Sequence, residues 1–401
     1  MKITEFAKHT KTLSASLTTL GILAFMCAVG VLTVTKNSGS LFTPTPDEET
    51  GTIPTVKERI VSAYDDMIVG FDRFISVYGI TQRVIGTSVY DDAGYTYLIR
   101  DKQNFIHFNT LPADAKPFAD AVCRFRDAME AEDIPFLYLQ SPTKEIEGYT
   151  DYPPGIDYAS TDNARAMRDA LRTAGVELVS FAEEFAARGI DPKSQFYRTD
   201  HHWTTQSAFE AFRIALPYLN ERYGWSLDAS TCQPENWTSL YQPQSFLGSI
   251  GRRIGVELAG LDDYTYLEPA FETSYDVFYP PTSRETPYWS GSFHHTMVRD
   301  SLLYADNVEA NRYASYFQYD YAELVIENKL AENDLHVVII KDSFALPFTA
   351  FLSTAIHKIT MIDLRGFEGS VADYMAELHP DLVIMMYGNG SFTKGMYEFF
   401  D

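Results

Sequence analysis

Two short segments, far apart in the chain, carry side chains that could carry out nucleophilic chemistry together. The segment RTDHHWTT contains Asp200, His201 and His202, and the segment KDSFALPF contains Ser343. A serine hydroxyl is a weak nucleophile until a positioned base takes its proton, and a third group must hold the base in the correct tautomer. We predict that Asp200 binds one ring nitrogen of His202 and that the other nitrogen faces Ser343. His201 is the reserve base or a neighbour that faces substrate.

Other interpretations of the same residues stay open at this point. Asp200 could cap the helix that follows it, with His202 as a hydrogen-bonded core residue, and Ser343 could cap a helix of its own. Zinc is the rival chemistry, since it takes three or four His, Cys, Asp or Glu ligands. Adjacent side chains such as those of His201 and His202 rarely converge on one ion, and the only other such pair is His294 with His295. We therefore expect no metal and no organic cofactor.

Four further residues are candidates for stabilising an oxyanion or for contacting substrate. Gly366 follows the apolar run ITMIDL, and Asn389 lies in GNG after DLVIMMY, so both could donate to the oxyanion beside the Ser343 NH. Both also suit ordinary turns. Lys144, in SPTKE, could contact substrate or simply be solvated. Trp203 could form a platform for a sugar, although an indole in this position is more typical of a core.

These candidates follow dense apolar runs that read as strands buried on both faces. The runs occupy 134–140, 176–181, 336–341, 359–364 and 381–387. Helical patterns lie between or beside them, at 117–132, 163–174, 204–219, 346–353 and 371–378. Alternating strands and helices predict an α/β fold with a doubly wound, mostly parallel sheet. Ligands of such sheets bind at the carboxyl ends of the strands, where the candidates fall.

The chain divides into three predicted parts. Lysines precede a run without charge from Leu17 to Val34, which indicates a transmembrane anchor within residues 1–35, with a cytoplasmic N-terminus and the remainder outside the cell. A cleaved signal peptide is the alternative. Residues 36–55, rich in Ser, Thr, Pro and Gly, predict a flexible linker. Residues 56–401 form the catalytic domain, with an irregular or β-rich insertion at about 220–333.

The net charge limits the classes of partner, and the few cysteines leave one possible disulfide. The formal net charge is -23, which disfavours nucleic acid and anionic membrane surfaces and favours a neutral or cationic partner. The chain has 3 cysteines, of which Cys27 lies in the predicted anchor. Whether Cys123 pairs with Cys232 cannot be read from their spacing.

The motif DHHW, with YRTD before it and KDSFA downstream, resembles the bacterial DHHW protein family. That family is related to the SGNH-like O-acetyltransferases of exopolysaccharide biosynthesis, such as those that act on alginate. The resemblance extends from near Asp72 to the C-terminus through SPTKE, YRTDHHW, FLGSIGRR, KDSFA and DLRGF. Two positions depart from the pattern: Lys341 replaces the glycine of GDS, and Ser207 stands where relatives often have glycine.

The resemblance implies a three-layer SGNH-hydrolase-like fold with a circularly permuted motif order, because the Asp-x-His pair precedes the serine. It also implies that Ser343 is the nucleophile, His202 the base and Asp200 the orienting acid. The expected activity is acyl transfer to, or ester cleavage on, a carbohydrate polymer at the cell surface, with the acyl donor supplied by a multi-spanning membrane protein. A catalytically inactive carbohydrate-binding or scaffold protein is the alternative.

Overall fold

The computed structural model describes residues 71–92, 96–156, 158–280, 282–388 and 392–400, together with a few positions between 24 and 35. Apart from those few positions, the predicted anchor and linker lie outside the described residues, so anchoring stays a prediction. Within the described part of the chain, no helix combines the length and apolar character that crossing a membrane requires.

Strands and helices alternate along much of the described chain. The strands are β1 (Val89–Asp92), β2 (Thr96–Arg100), β3 (Ile106–Phe108), β4 (Phe136–Gln140), β5 (Leu178–Ser180), β6 (Trp237–Phe246), β7 (Asp262–Pro269), β8 (Tyr275–Phe278), β9 (Trp289–Gly291), β10 (Glu323–Asn328), β11 (His336–Lys341), β12 (Lys358–Ile362) and β13 (Leu382–Tyr387). The α-helices are α1 (Phe71–Ile85), α2 (Lys116–Ala131), α3 (Ser160–Thr173), α4 (Phe181–Ala187), α5 (Pro192–Gln195), α6 (Thr205–Tyr223), α7 (Ser249–Ile254), α8 (Val256–Ala259), α9 (Phe293–Met297), α10 (Asp300–Leu303), α11 (Ala345–Leu352) and α12 (Val371–Leu378).

The main sheet has the strand order β5-β4-β13-β11-β12-β10-β8-β9. Its first five strands run parallel and correspond to the five strands that the apolar runs predict. The last three pair antiparallel. The α/β class is therefore confirmed, but the sheet is mixed to a greater degree than expected.

Side chains of the central strands alternate between two cores, one on each face of the sheet. In β11, Val337 and Ile339 belong to one core, whereas Val338 and Ile340 belong to the other. A strand covered on both faces needs apolar residues at successive positions, which explains its unbroken VVII run. Helices α6 and α11 contribute to the first core, and α2, α3 and α12 contribute to the second. The result is a layer of helices on each side of the sheet.

The segment 220–333 is β-rich, as predicted, but it is built into the main fold. Its strands β8 and β9 extend the main sheet, while β6 and β7 form a separate antiparallel pair. Its tyrosines Tyr264, Tyr275 and Tyr316 are buried in the same core as α6 and α11. The irregular hydrophobic pattern of this segment therefore arises from core aromatics on short elements.

Two smaller features complete the comparison with the sequence. Strands β1, β2 and β3 form a three-stranded antiparallel sheet that the sequence analysis did not anticipate. Cys27, Cys123 and Cys232 are all free thiols, so the pairing of Cys123 with Cys232 that the sequence left open is not formed.

Candidate active site

Asp200, His202 and Ser343 form one hydrogen-bonded chain beside the carboxyl end of β11. His202 Nδ1 lies 2.7 Å from Asp200 Oδ1, and His202 Nε2 lies 2.7 Å from Ser343 Oγ. Because a carboxylate only accepts hydrogen bonds, Nδ1 carries the proton and Nε2 is left to accept from the serine hydroxyl. Asp200 and His202 are buried, whereas Ser343 is half-buried. This is the geometry in which a histidine base can activate a serine.

The Asp200 carboxylate is fixed by backbone donors. Its Oδ1 accepts from the His202 NH at 2.9 Å, and its Oδ2 accepts from the Ser249 NH at 2.6 Å. Burial alone would raise the pKa of Asp200, but the imidazoles of His202 and His201 and these hydrogen bonds hold it well below its usual value. A Cβ on Gly248 would lie 2.3 Å from the Asp200 Cβ, so this close approach requires glycine. Asp200 is therefore ionised and tightly positioned.

Lys144 holds the loop that carries Asp200. Its Nζ donates to the carbonyl oxygens of Ile106 at 2.6 Å, Arg198 at 3.0 Å and Asp200 at 2.6 Å. An ammonium group has three donors, so all of them are engaged by the protein. Burial lowers the pKa of Lys144 to about 8, against the opposing charges of Asp262 and Asp200. These contacts give Lys144 a structural role, and they leave no donor for a direct hydrogen bond to substrate.

Asp262, in β7, fixes the same loop from the side of the insertion. Its Oδ1 accepts from the Arg198 NH at 3.0 Å, and its Oδ2 accepts from the NH and the hydroxyl of Thr199 at 2.8 and 2.6 Å. The Thr199 hydroxyl also accepts from the Gly248 NH at 2.8 Å. The insertion thus supplies much of the support for the Asp200 loop.

Ser343 lies on the tight turn between β11 and α11. Asp342 closes the turn: its carboxylate accepts from the Phe344 NH at 2.9 Å and from the Gly388 NH at 2.5 Å. Burial raises the pKa of Asp342 to about 6, although these hydrogen bonds and the charge of Arg365 oppose the shift. No described residue accepts a hydrogen bond from the Ser343 NH. Within the described part of the chain, that NH is therefore available to bind a developing oxyanion.

Lys341, which replaces the glycine of the related motif, is compatible with this turn. Its side chain is fully buried, and its Nζ lies 2.5 Å from Asp320 Oδ1 and 3.1 Å from Asp363 Oδ2. Arg365 also pairs with both carboxylates. The network compensates the buried ammonium charge, as a charge removed from water requires.

Tyr313 contacts both the base and the nucleophile segment, and the sequence analysis did not single it out. Its ring stacks on the His202 imidazole with centroids 3.8 Å apart and planes inclined by 10°. Its hydroxyl donates to the Ser343 carbonyl at 2.9 Å. Tyr313 lies in the 3₁₀ turn Arg312–Ser315 of the insertion. No motif distinguishes it among the 26 tyrosines of the chain, so no sequence signal could have identified it.

Trp203 and His201 adjoin the base in different ways. Trp203 is fully buried and donates its Nε1–H to the Phe344 carbonyl at 3.0 Å, so its indole has no face for a sugar. The suggestion that Trp203 is a sugar platform is wrong. His201 is half-buried, its Nδ1 lies 2.8 Å from Ser249 Oγ, and its ring lies 3.7 Å from that of His202. Burial and the neighbouring His202 lower the pKa of His201.

Gly366, one of the two weaker oxyanion candidates, is not brought to Ser343 by any contact that the structure shows. The Gly366 NH donates to the Asp363 carbonyl at 3.1 Å. Gly366 instead lines a separate cavity of about 790 Å³ together with Arg284 and Tyr374. Asn389 lies outside the described residues, so its role stays a prediction.

Asp200, His201 and His202 also form a group compact enough to hold a metal ion. One ligand atom from each residue can be chosen so that all lie within 4.8 Å of one another. Adjacent histidines rarely converge on one ion, but here one ligand atom of each lies within this distance of the other. However, both nitrogens of His202 and the Nδ1 of His201 already have hydrogen-bond partners, Ser343, Asp200 and Ser249. Serine activation uses this arrangement without rearranging it.

A small cavity of about 150 Å³ adjoins the site. On the side of the Ser343 turn, the cavity is lined by His201, Phe344 and Gly388. On another side it is lined by His107 of β3 and by Lys144 of the loop that follows β4. Such a volume is below the roughly 300 to 1,000 Å³ of a drug-sized ligand pocket, so it fits one chemical group and not a polymer.

Two solved bacterial structures are similar to this one. Bacillus cereus PatB1, solved with a sulfonyl adduct, has a TM-score of 0.62 at 18% identity, over 78% of this chain and 99% of that chain. A DHHW family protein from Eubacterium siraeum has a TM-score of 0.58 at 15% identity, over 78% of this chain and 98% of that chain. The predicted likeness to DHHW proteins is therefore confirmed as a shared fold. No protein-family profile matches the chain, and no curated protein matches it in sequence.

Proposed function

We propose that this protein is a serine-dependent O-acyltransferase or esterase that acts on a polysaccharide. The observation that carries the proposal is the pair of 2.7 Å contacts that link Asp200 to His202 and His202 to Ser343. Capping roles alone do not account for a buried imidazole that bridges a carboxylate and a half-exposed serine. The fold shared with a DHHW protein supports the same class.

In the first step, Ser343 Oγ attacks the carbonyl carbon of the acyl donor while His202 Nε2 takes the hydroxyl proton. The ionised Asp200 stabilises the resulting imidazolium through Nδ1–H. The Ser343 NH binds the oxyanion of the tetrahedral intermediate. The intermediate collapses when the bond to the leaving group breaks, and His202 returns the proton to that group. An acyl-serine remains.

In the second step, a hydroxyl group attacks the acyl-serine and His202 takes its proton. The tetrahedral intermediate then releases Ser343, which recovers its proton from His202. A sugar hydroxyl gives the acylated polymer, and water gives the free acid. Both outcomes use the same side chains, so the acceptor that the cleft admits decides between transferase and esterase.

Acetyl as the acyl group, and a polysaccharide as acceptor, follow from the resemblance to the DHHW family and its alginate-type relatives. The net charge of -23 favours a neutral or cationic polymer over a polyanion. We further propose that the chain is anchored by its N-terminal segment, with the catalytic domain outside the cell. A multi-spanning membrane partner would then deliver the acyl donor.

Replacement of the serine tests the proposal. Hydrolysis of 4-nitrophenyl acetate by the full chain should fall by at least about 10³-fold in Ser343→Ala, since the nucleophile is lost. A sulfonyl fluoride should label Ser343 in the wild type, as detected by peptide mass spectrometry. Ser239→Ala, a change on the exposed face of β6, is the matched control and should keep both properties.

A wild-type chain that shows neither turnover nor labelling would refute the enzyme. If that chain still bound glycan, the alternative of a carbohydrate-binding scaffold protein would take its place.

A further inference from the structure

The imidazole of His202 lies between two other rings. The centroid of the Tyr313 ring is 3.8 Å from that of His202, with planes inclined by 10°, and the centroid of the His201 ring is 3.7 Å away, with planes inclined by 38°. Two rings this close to one imidazole cannot share a face of it, because they would overlap each other. The Phe344 ring is farther away, at 5.2 Å. His202 is therefore covered on both faces, and its side chain is only 8% exposed.

The Tyr313 ring is held in this stack at both of its ends. Its hydroxyl donates to the Ser343 carbonyl at 2.9 Å. Its backbone belongs to the turn Arg312–Ser315, where Arg312 Nε donates to the Ser245 carbonyl at 2.8 Å. Burial raises the pKa of Tyr313 well above its usual value, so the phenol stays neutral. A neutral and fixed aromatic ring therefore covers one face of the base.

The stack matters because the charge of His202 changes in the reaction proposed above. When His202 takes the serine proton, its ring becomes an imidazolium. The face of an aromatic ring carries partial negative charge and attracts a cation within about 6 Å of its centroid, more strongly where water is excluded. Asp200 binds the charge at Nδ1, on the edge of the imidazole, whereas Tyr313 meets it on the face.

The second ring of the stack, that of His201, does not compete for the proton. Burial and the neighbouring His202 lower the pKa of His201 to about 3. Two stacked imidazolium rings would repel each other, so the proton taken from Ser343 stays on His202. His201 therefore closes the other face of the base without taking its charge.

A second buried histidine–aspartate pair in the protein lacks such a stack. His107 Nε2 lies 2.9 Å from Asp101 Oδ2, and each side chain is only 1% exposed. Tyr152 and Tyr158 meet the His107 ring at 73° and 76°, so neither is parallel to it. Burial lowers the pKa of His107 to about 4, although the Asp101 carboxylate opposes the shift. A buried carboxylate partner alone therefore does not keep an imidazole basic.

We propose that Tyr313 is a positioning residue whose aromatic face stabilises the imidazolium form of His202. This role rests on the function proposed above and specifies how its base is strengthened. The imidazolium is present both in the transition state and in the protonated resting enzyme. Loss of the ring should therefore lower both the rate and the pH at which activity appears.

Tyr313→Leu and Tyr313→Phe separate the ring from its hydroxyl. The midpoint of the acid limb of kcat/KM for 4-nitrophenyl acetate reports the base of the free enzyme. The midpoint should fall by roughly 0.5 to 1 pH unit in Tyr313→Leu. Tyr313→Phe should keep the wild-type midpoint, because its ring remains. Tyr264→Leu removes another fully buried tyrosine of the same core, and this matched control should lose stability without a change of midpoint.

Trifluorophenylalanine at position 313 tests the aromatic face with little change of shape. Fluorine withdraws electron density from the face of the ring, so the midpoint should fall below that of Tyr313→Phe although the packing is kept. Equal midpoints in this variant and in Tyr313→Phe would overturn the proposal. A rise of the midpoint in Tyr313→Leu would also overturn it, since water would then have replaced a ring that only filled space.

NMR titration of the His202 ring separates this role from the proposed enzyme. An activity profile also contains titratable groups that face the imidazole or its aspartate, namely Asp200 and His201 from the same loop, Asp342 from the turn before Ser343, and Lys144 from the loop after β4. The ring signal, assigned with His202→Gln, follows the base itself.

The NMR result stands even if the wild type neither hydrolyses the ester nor labels at Ser343. In that case the proposed enzyme fails, but a lower NMR midpoint in Tyr313→Leu than in Tyr313→Phe would still support the stabilising face. The same NMR midpoint in both variants would show that Tyr313 acts only in packing, and the proposal would be wrong.

Discussion

The two buried histidine–aspartate pairs of this protein are built alike but end differently. In both pairs, the aspartate carboxylate accepts a hydrogen bond from a backbone NH and also binds one nitrogen of the imidazole. His202 continues to Ser343, whereas the second nitrogen of His107 has no donor among the described residues. The pair alone therefore does not define a catalytic base; the group on the far nitrogen does.

The aromatic rings that surround His202 and His107 also differ in their geometry. The ring of Tyr313 is stacked on His202 at 3.8 Å, which fixes the plane of the base, while Tyr152 and Tyr158 meet His107 edge to face at 5.1 and 5.8 Å. Asp200 and His202 are two residues apart, and Ser343 is brought to His202 from 141 residues further along the chain, whereas Asp101 and His107 are six residues apart. Both pairs are therefore local, and among the described residues only the first has a distant partner at its far nitrogen.

The largest expected effect comes from breaking the first pair. Asp200→Asn replaces one acceptor by an NH₂ group, although both oxygens accept hydrogen bonds from backbone NH groups and one also binds the imidazole. We expect kcat/KM for ester hydrolysis to fall about 10³- to 10⁴-fold, because the imidazole loses its tautomer and the stabilisation of its charge.

The loss of ester hydrolysis in Asp200→Asn is compared with the loss caused by the same substitution in the second pair, Asp101→Asn. Its loss of ester hydrolysis should be at least about tenfold smaller than that of Asp200→Asn, since no hydrogen bond between described residues joins the Asp101–His107 pair to Ser343 or His202. Equal losses in the two variants would contradict the assignment of different roles.

A smaller effect should come from Tyr313→Phe, which sharpens the contrast between the two pairs. The ring stays on His202, but the hydroxyl that donates to the Ser343 carbonyl is removed. We expect kcat to fall about fivefold with little change in KM, because one hydrogen bond that positions the nucleophile is lost. Tyr264→Phe is the control, since its hydroxyl bonds Ser315 in the same core and should affect stability only. A change confined to KM would contradict the positioning role.

The smallest effect concerns pH and the second pair. The pKa of His107 is lowered from 6.5 to about 4, so the unfolded chain binds the proton more readily between these values. The contribution of His107 to the free energy of unfolding is complete above pH 6.5 and falls by about 3 kcal/mol as the pH drops to 4. Asp342, with a pKa raised to about 6, acts in the opposite direction between pH 6 and 4.

Because these two titrations partly cancel in the total stability, the ring itself should be followed by NMR. His107 should remain neutral on titration from pH 7 to 5, with His107→Phe used to assign its signal. A midpoint near 6.5 would show that the ring is not held as the structure describes.

The sequence predicted the parallel half of the fold well, because strands buried on both faces carry unbroken apolar runs. Strand β11 was predicted at its observed bounds, 336–341, and helix α12 at 371–378. The antiparallel strands β8 and β9 were missed, since they are only four and three residues long and lie among scattered tyrosines. Short strands leave too few positions for a period to show.

The same reasoning explains what was found and missed at the site. Asp200, His202 and Ser343 were identifiable because their types and order have a chemical meaning. Tyr313 and His107 were not, since a single tyrosine or histidine carries no pattern and its role arises only from tertiary contacts. Lys144 was noticed for its charge, but its three carbonyl partners could not be foreseen from sequence.

The turn that carries Ser343 has a consequence for when activity begins during synthesis. The Asp200 loop is made long before Ser343, and the turn is completed only when β13 pairs with β11 and the Gly388 NH reaches Asp342. Such pairing of distant segments is slow compared with local folding. A partly synthesised chain therefore holds a histidine base without a nucleophile. On the proposed function, acyl transfer can begin only when the last strand of the sheet is in place.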